Sequence, residues 1–480
     1  LFVIAAAGIA VWYYYSAGPG DPASVRFERT GELRLQDRYF IPDDQVGPEL
    51  ARLIGLYKAR DFPAAKRGFE NFLSSEATDP EKSIALVYLG VMALQTERYE
   101  LARHQFLRAL KYDEKSVAAL ANMAIVERLT GQPDKAREYI EQALALAPRD
   151  SRLALLQGNL FADSQMLEEA EESYDRAVQS DPDDPLAYFN QALAQRRKGE
   201  PEEALLNFAR ARKLAGGGTL AARASAHMGQ IYFEQGNYEL AADALGRSVD
   251  IAPDNGRYLY NLGVVYLRMN RDREARAMFE RSMQAGANDL NVYHALAQAF
   301  ENMQQPSLAI QALKQALYRN PDSVDTLFRL GELYYAERDL INSAETYRNI
   351  INRTGGGEGT RDAYLKLAGV YVDMERYNDA IDILERAAGQ NPNNPRIYYM
   401  LGLVYDRSGE RGLAIRQWKT ALEKKSADEP LERAEERRIR MALADIYRRE
   451  GAFDLALREY DAIREMNDKV NPGGAAPELD

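Results

Sequence analysis

The feature that most constrains this chain is a repeat of fixed length. A small residue, followed twelve positions later by Ala or Ser, stands at Gly90, Ala124, Gly158 and Ala192, each 34 residues after the last. The series resumes through Gly229, Gly263, Ala297 and Gly331 at the same spacing, then continues at Ala368, Gly402 and Ala444. Its second members run from Ala102 through Ser343 to Ala456, which makes eleven units. Four residues beyond many of them comes a bulky ring, as at Phe106, Tyr174, Phe208, Phe279, Tyr347, Trp418 and Tyr460. Pro stands near the end of many units, at Pro148, Pro182, Pro253, Pro321 and Pro392. A register held this long marks a repeat architecture, and local structure is read within it.

Each unit reads as two amphipathic helices joined by a short turn, with Pro marking entry to the next unit. Small residues belong where the two helices cross, because a large side chain would force the backbones apart. A single unit cannot bury its own apolar face, so stability must come from stacking on neighbours. For 480 residues, length alone would predict roughly three ordinary domains; the repeat overrides that expectation.

Tyr398, Leu401, Gly402, Tyr405, Ala414 and Trp418 follow the order large residue, Leu-Gly, Tyr, Ala, aromatic, and Leu259, Leu262, Gly263, Tyr266, Ala275 and Phe279 repeat it. On these residues the chain resembles the tetratricopeptide repeat family over about residues 46–470. The resemblance implies an all-α, right-handed α-solenoid of about 11–12 helix-turn-helix repeats.

The expected layout is a transmembrane helix at 1–18, an extended linker or short strands at 19–45, and a degenerate first repeat at 46–82 around Leu53, Ala65 and Phe69. Repeats then fill 83–218, 219–357 and 358–470, and a disordered tail occupies 471–480. Block boundaries fall where the register slips, by three near Gly216 to Gly218, by three near Gly355 to Gly357 and by eight within Lys424 to Arg438. Loops are expected to absorb all three slips. The last unit should face solvent with Arg448, Arg449, Glu450, Arg458 and Glu459.

Residues 1–18 carry no charge, and as a helix they span roughly 27 Å, near the thickness of a bilayer's hydrocarbon layer. Trp12, Tyr13, Tyr14 and Tyr15 suit the headgroup region, and Pro19 ends the helix. A cleaved signal peptide is the competing reading, but cutting after Ser16 or Ala17 would put Tyr14 or Tyr15 where a small residue is needed. The expected location is the inner membrane, single-pass, with the solenoid on the periplasmic side. Arg26, Arg29, Arg34 and Arg38 pull mildly toward the opposite orientation.

A formal charge of −12 argues against nucleic-acid partners, which need a dense field of Lys and Arg. Without cysteine there are no disulfides, thiolate metal sites or Cys nucleophiles. His104, His227 and His294 lie in different repeats without metal-ligand spacing. The glycine runs lack the Gly-Lys-Ser/Thr of a phosphate loop, and no hydrolase or kinase signature appears. These patterns predict neither enzyme activity, nor a cofactor, nor a metal.

In the family that the chain resembles, first helices line the concave surface. The position three before each small residue then faces a partner, and here it holds Phe189, Tyr260, His294, Phe328 and Tyr399, with Phe233 and Tyr335 nearby. A ladder of rings suits an extended peptide or a partner helix. The same rings could instead pack between adjacent first helices, and both readings stand at this level. The Lys and Asn pair with which some relatives grip a chaperone tail is missing: Asn159 follows Gly158, but Leu155 stands where Lys is required. The function expected is a membrane-anchored scaffold that assembles a multiprotein complex of the cell envelope. The alternative is a substrate-recruiting or regulatory subunit of an envelope enzyme system. The partners are proteins, with self-association open through the terminal repeats.

Overall fold

A computed structural model describes residues 40–41, 46–287, 289–354, 358–424 and 431–468. Those residues form twenty-four α-helices in twelve consecutive pairs. We number them α1 (Pro48–Lys58) with α2 (Phe62–Phe72), α3 (Asp79–Gln95) with α4 (Tyr99–Tyr112), α5 (Val117–Leu129) with α6 (Pro133–Leu146), and α7 (Ser151–Asp163) with α8 (Leu167–Ser180). Next come α9 (Pro185–Lys198) with α10 (Pro201–Ala215), α11 (Gly218–Glu234) with α12 (Tyr238–Ile251), α13 (Gly256–Arg268) with α14 (Asp272–Gln284), and α15 (Leu290–Asn302) with α16 (Pro306–Arg319). The last pairs are α17 (Val324–Ala336) with α18 (Leu340–Thr354), α19 (Glu358–Asp373) with α20 (Tyr377–Gln390), α21 (Pro395–Ser408) with α22 (Arg411–Glu423), and α23 (Arg433–Arg449) with α24 (Phe453–Asp468). The degenerate first repeat is therefore a real pair, α1 with α2. The apolar residues 1–18 and the tail 471–480 lie outside the described residues. Among the described ones no helix is long and apolar enough to cross a membrane.

Local chemistry sets where the helices begin and turn. Ser116, Asp150, Asp184, Asn255, Asp289, Ser323 and Asn394 cap first helices by accepting a backbone N–H two or three residues on. Each of the twelve pairs turns through one left-handed residue with φ between 56° and 89°. Beside it, an N–H bonds back five residues at 2.8–3.0 Å, from Asp61 to Leu56 in the first pair and from Ala452 to Tyr447 in the last. Glycine fills five of these turns, and Arg60, Glu97, Gln165, Asn270, Gln304, Arg338 and Glu375 fill the others.

First and second helices differ in burial. Helix α3 buries residues along most of its length, from Ser83 to Leu94, whereas α4 buries only the stripe Ala102, Phe106 and Ala109. The cause is layering: within a unit, a first helix such as α5 touches its own partner α6, the preceding second helix α4 and the neighbouring first helices α3 and α7. The described chain forms two compact units, residues 40–271 with 281–286, and residues 272–280 with 287–468. In the first unit α3, α5, α7 and α9 touch in succession, and in the second α17, α19 and α21 do so.

The first register slip is absorbed differently from the expectation. Only Gly216 and Gly217 separate α10 from α11, and α11 runs for 17 residues where α9 and α13 run for 14 and 13. An extra helical turn, rather than a longer loop, takes up the insertion, because a helix satisfies its own backbone where a loop does not. The second slip follows suit, with α19 extended to 16 residues.

Candidate interaction surface

Where the small residue is Gly90, Gly158, Gly229, Gly331 or Gly402, it meets the large side chain sixteen positions on and forms the joint of its repeat. A Cβ at Gly90 would stand 2.7 Å from Phe106 Cδ1, at Gly158 2.6 Å from Tyr174 Cδ1, and at Gly331 2.9 Å from Tyr347 Cε1. At Gly229 the neighbour is Leu245 Cγ, 2.7 Å away, and at Gly402 it is Trp418. Ala124, Ala192, Ala297, Ala368 and Ala444, at the remaining positions of the series, are fully buried, and Gly263 is buried with them. Ser343 replaces Ala at the second small position, and its hydroxyl donates to the Gly331 carbonyl at 2.8 Å.

The ring ladder expected three before each small residue divides by burial. Phe189, Tyr260 and Tyr399 are enclosed. Phe189 meets Phe208 edge-on at 5.4 Å beneath the Arg223 guanidinium at 4.7 Å, and the Tyr399 carbonyl accepts from Trp418 Nε1 at 3.3 Å. His294, Phe328, Phe233 and Tyr335 are half-buried. In the first unit Phe233 stands between Tyr238 at 5.6 Å and Arg268 at 5.9 Å. In the second, Phe328 packs at 5.9 Å from Tyr347, while the Tyr335 hydroxyl donates to Asp373. Burial, then that bond, pushes the Tyr335 hydroxyl pKa up.

One residue later, in six of the eleven repeats, lies a polar row that the reading of the sequence passed over. Two before the small residue stand Asn122, Asn190, His227, Asn261, Arg329 and Lys366. The recurrence itself was the available signal. Each unit spends these groups on bonds between repeats. In the first unit, Asn190 Nδ2 donates to Asn159 Oδ1 at 3.0 Å, which also accepts from Tyr174 at 3.0 Å. His227 stacks on Phe208 at 5.1 Å and 3°, and its Nδ1 accepts from Arg196 at 3.3 Å. Burial, followed by the charges of Arg196 and Arg223, pushes its imidazole down to about 3. In the second unit Arg329 donates to the His294 carbonyl at 3.1 Å, to Gln298 at 3.0 Å and to Glu301 at 3.1 Å. His294 Nε2 lies 2.8 Å from Thr326 Oγ1, and burial with the Arg329 charge lowers this imidazole to about 4. Lys366 donates to Glu332 at 2.7 Å.

The same row holds the start of the described chain. Asn122 Nδ2 donates to the Phe40 carbonyl at 2.7 Å, and the Phe40 N–H donates to Asn122 Oδ1 at 3.0 Å. The ring of Phe40 is buried under the Arg152 guanidinium, 5.1 Å from its centroid. Among the described residues no group of three or more His, Asp or Glu is placed to hold a metal ion.

Stacked helix pairs whose first helices carry rings and polar groups define an all-α repeat protein of a kind that holds other proteins. Residues 50–121, 121–185, 155–219, 294–357 and 399–469 match the tetratricopeptide repeat, as do residues 220–288, and residues 368–409 match the TPR repeat. The chain belongs to the tetratricopeptide repeat family. It is similar to Cellulose synthase operon protein C of Pseudomonas fluorescens, 21% identical over 462 residues, covering 89% of this chain and 34% of that protein. It therefore spans about a third of that relative's length. Type IV pilus assembly protein PilF of Pseudomonas aeruginosa is 24% identical over 212 residues, 43% of this chain and 69% of that one. Among solved structures, PilW, a widely conserved type IV pilus biogenesis factor, aligns with a TM-score of 0.37 at 18% identity, over 43% of this chain and 94% of that one.

Proposed function

We propose that this chain is a membrane-tethered scaffold that holds protein partners within a cell-envelope assembly. The observation that carries the reading is the set of half-buried side chains on first helices, Phe233 in one unit and His294, Phe328 and Tyr335 in the other, on the same helices as an ordered polar row. Rigid rings flanked by fixed donors give contact area at little entropic cost. The uncharged stretch at 1–18 supports the tether, and the proposal sets it in the inner membrane with the solenoid on the periplasmic side. The relatives named for a cellulose synthase operon and for pilus assembly support the envelope setting. Stacking between copies belongs to the same proposal: Phe453 and Leu457 on α24 are exposed beside the expected polar residues, and Tyr460 is 37% exposed where Trp418 in the same register is buried.

The test is isolation of the full-length protein from its native membrane in mild detergent, with mass spectrometry of what stays bound. A fixed set of envelope components at stoichiometric ratio is the expected result. A second reading, a recruiting or regulatory subunit of an envelope polysaccharide system, is favoured by the likeness along most of the chain to the cellulose synthase operon protein. One enzyme recovered at low occupancy would select it, and recovery of the protein alone would overturn both.

A further inference from the structure

The contact between Phe40 and the first unit has the form of ligand recognition. A side-chain amide that donates to a residue's carbonyl and accepts from its N–H pairs with an extended peptide unit as a neighbouring strand would, whatever the side chain. Asn122 does this to Phe40, 82 residues away in sequence. The side chain is selected separately. Its ring is 4% exposed within the apolar core of the unit, with Arg152 over its face. Arg152 is itself aimed by Asp150, which accepts from its Nε at 3.1 Å and its Nη2 at 2.8 Å. A cation held above a ring by a carboxylate favours aromatic over aliphatic occupants.

The seat lies on first helices α5 and α7, which touch each other. The chain leaves it to reach Gly47, whose N–H is pinned by Glu81 at 3.1 Å just before α1 begins. The seat is therefore filled from the same chain by Phe40, which lies outside any helix. Phe40 supplies both bonds described for Asn122, which is 0% exposed while the seat is filled; an occupant that left would have to be replaced at the amide by water or by another peptide unit.

We propose that this seat is a docking site for an extended, aromatic-bearing segment of a protein partner, and that Phe40 fills it in cis until the partner's segment displaces it. The proposal deepens the scaffold reading and rests on it only for the existence of a partner. Because a tethered occupant acts at millimolar effective concentration, the intact chain masks the seat, and removing the Phe40 ring opens it.

The experiment measures fluorescence anisotropy of a fluorescein-labelled peptide copying residues 36–44, QDRYFIPDD, against the full chain in detergent. Phe40→Ala should bind the peptide at least tenfold more tightly than the unsubstituted chain. A peptide whose Phe is replaced by Ala should lose at least tenfold on the Phe40→Ala chain, as should the intact peptide on Phe40→Ala/Asn122→Ala. Circular dichroism melts confirm folding. Should Phe40→Ala melt early, Phe40→Leu keeps the bulk, loses the ring and should show the same ordering with a smaller change. Equal binding to the unsubstituted and Phe40→Ala chains, or no binding to folded Phe40→Ala, overturns the proposal. Concentration-dependent dimerisation that Phe40→Ala abolishes overturns it too, by assigning the seat to a second copy. The peptide assay uses purified chain alone, so it can fail while native co-purification succeeds, and the reverse.

Discussion

Gly402 lies under the indole of Trp418, where a Cβ would stand 2.8 Å from Cε2 and closer still to Cδ1 and Nε1. The ring is 1% exposed and its Nε1 is bonded to the Tyr399 carbonyl, so it has neither room nor freedom to retreat. Gly402→Ala is expected to destabilise the second unit by about 1–3 kcal/mol through overpacking. Combining it with Trp418→Leu should cost less than the sum of the two changes, because Ala368 already pairs with Leu384 in that register. Denaturant melts of the two single variants and the double variant measure the coupling. Additive losses would show that the pair does not clash.

Acid should weaken both units through their buried imidazoles. The pKa of His227 falls to about 3 and that of His294 to about 4 on folding, against an ordinary value of 6.5. The unfolded chain therefore takes up the protons first. Stability is full above about pH 6.5 and drops by up to about 1.4 kcal/mol per pH unit for each histidine below it, levelling near pH 3 and pH 4 respectively. Melts at pH 7.5 and pH 5 should show the loss, and His227→Gln should flatten it. An unchanged pH slope in that variant would count against a neutral buried His227.

The seven non-glycine turns offer a gain in stability. A left-handed L-residue costs roughly 1–2 kcal/mol, while glycine adds about 0.5–1 kcal/mol of chain entropy. Gln304→Gly and Arg338→Gly should thus be neutral to stabilising by about 1 kcal/mol each, and Val at either position should lower the melting temperature.

Two polar groups on one helix pair should respond to very different degrees. Arg329→Ala strands Gln298 and Glu301, and should cost about 2–4 kcal/mol. Ser343→Ala restores the residue used at the other second positions and loses one bond to a helical carbonyl, so the change should stay within about 1 kcal/mol. Thermal melts separate the two outcomes.

Much of this was legible in advance because the physics is local and repeated. Gly90, Gly158 and Gly331 mark helix crossings in the sequence, and the structure supplies the reason in Phe106, Tyr174 and Tyr347. The groove was harder to place. The position three before the small residue and the polar row beside it sit on the same helix, and helical periodicity does not say which neighbour will cover each.

The sequence by itself determined the unit length, the helix pairs, the small residues at the crossings and the absence of cysteine chemistry, since each follows from spacing or composition. Tertiary structure alone decided that Phe189, Tyr260 and Tyr399 are enclosed while Phe233 and Phe328 are half open. It also decided that α11 lengthens to absorb an insertion, and that Asn122 receives Phe40 from 82 residues away. Burial and long-range pairing depend on which helix packs against which, and a linear pattern does not encode that choice.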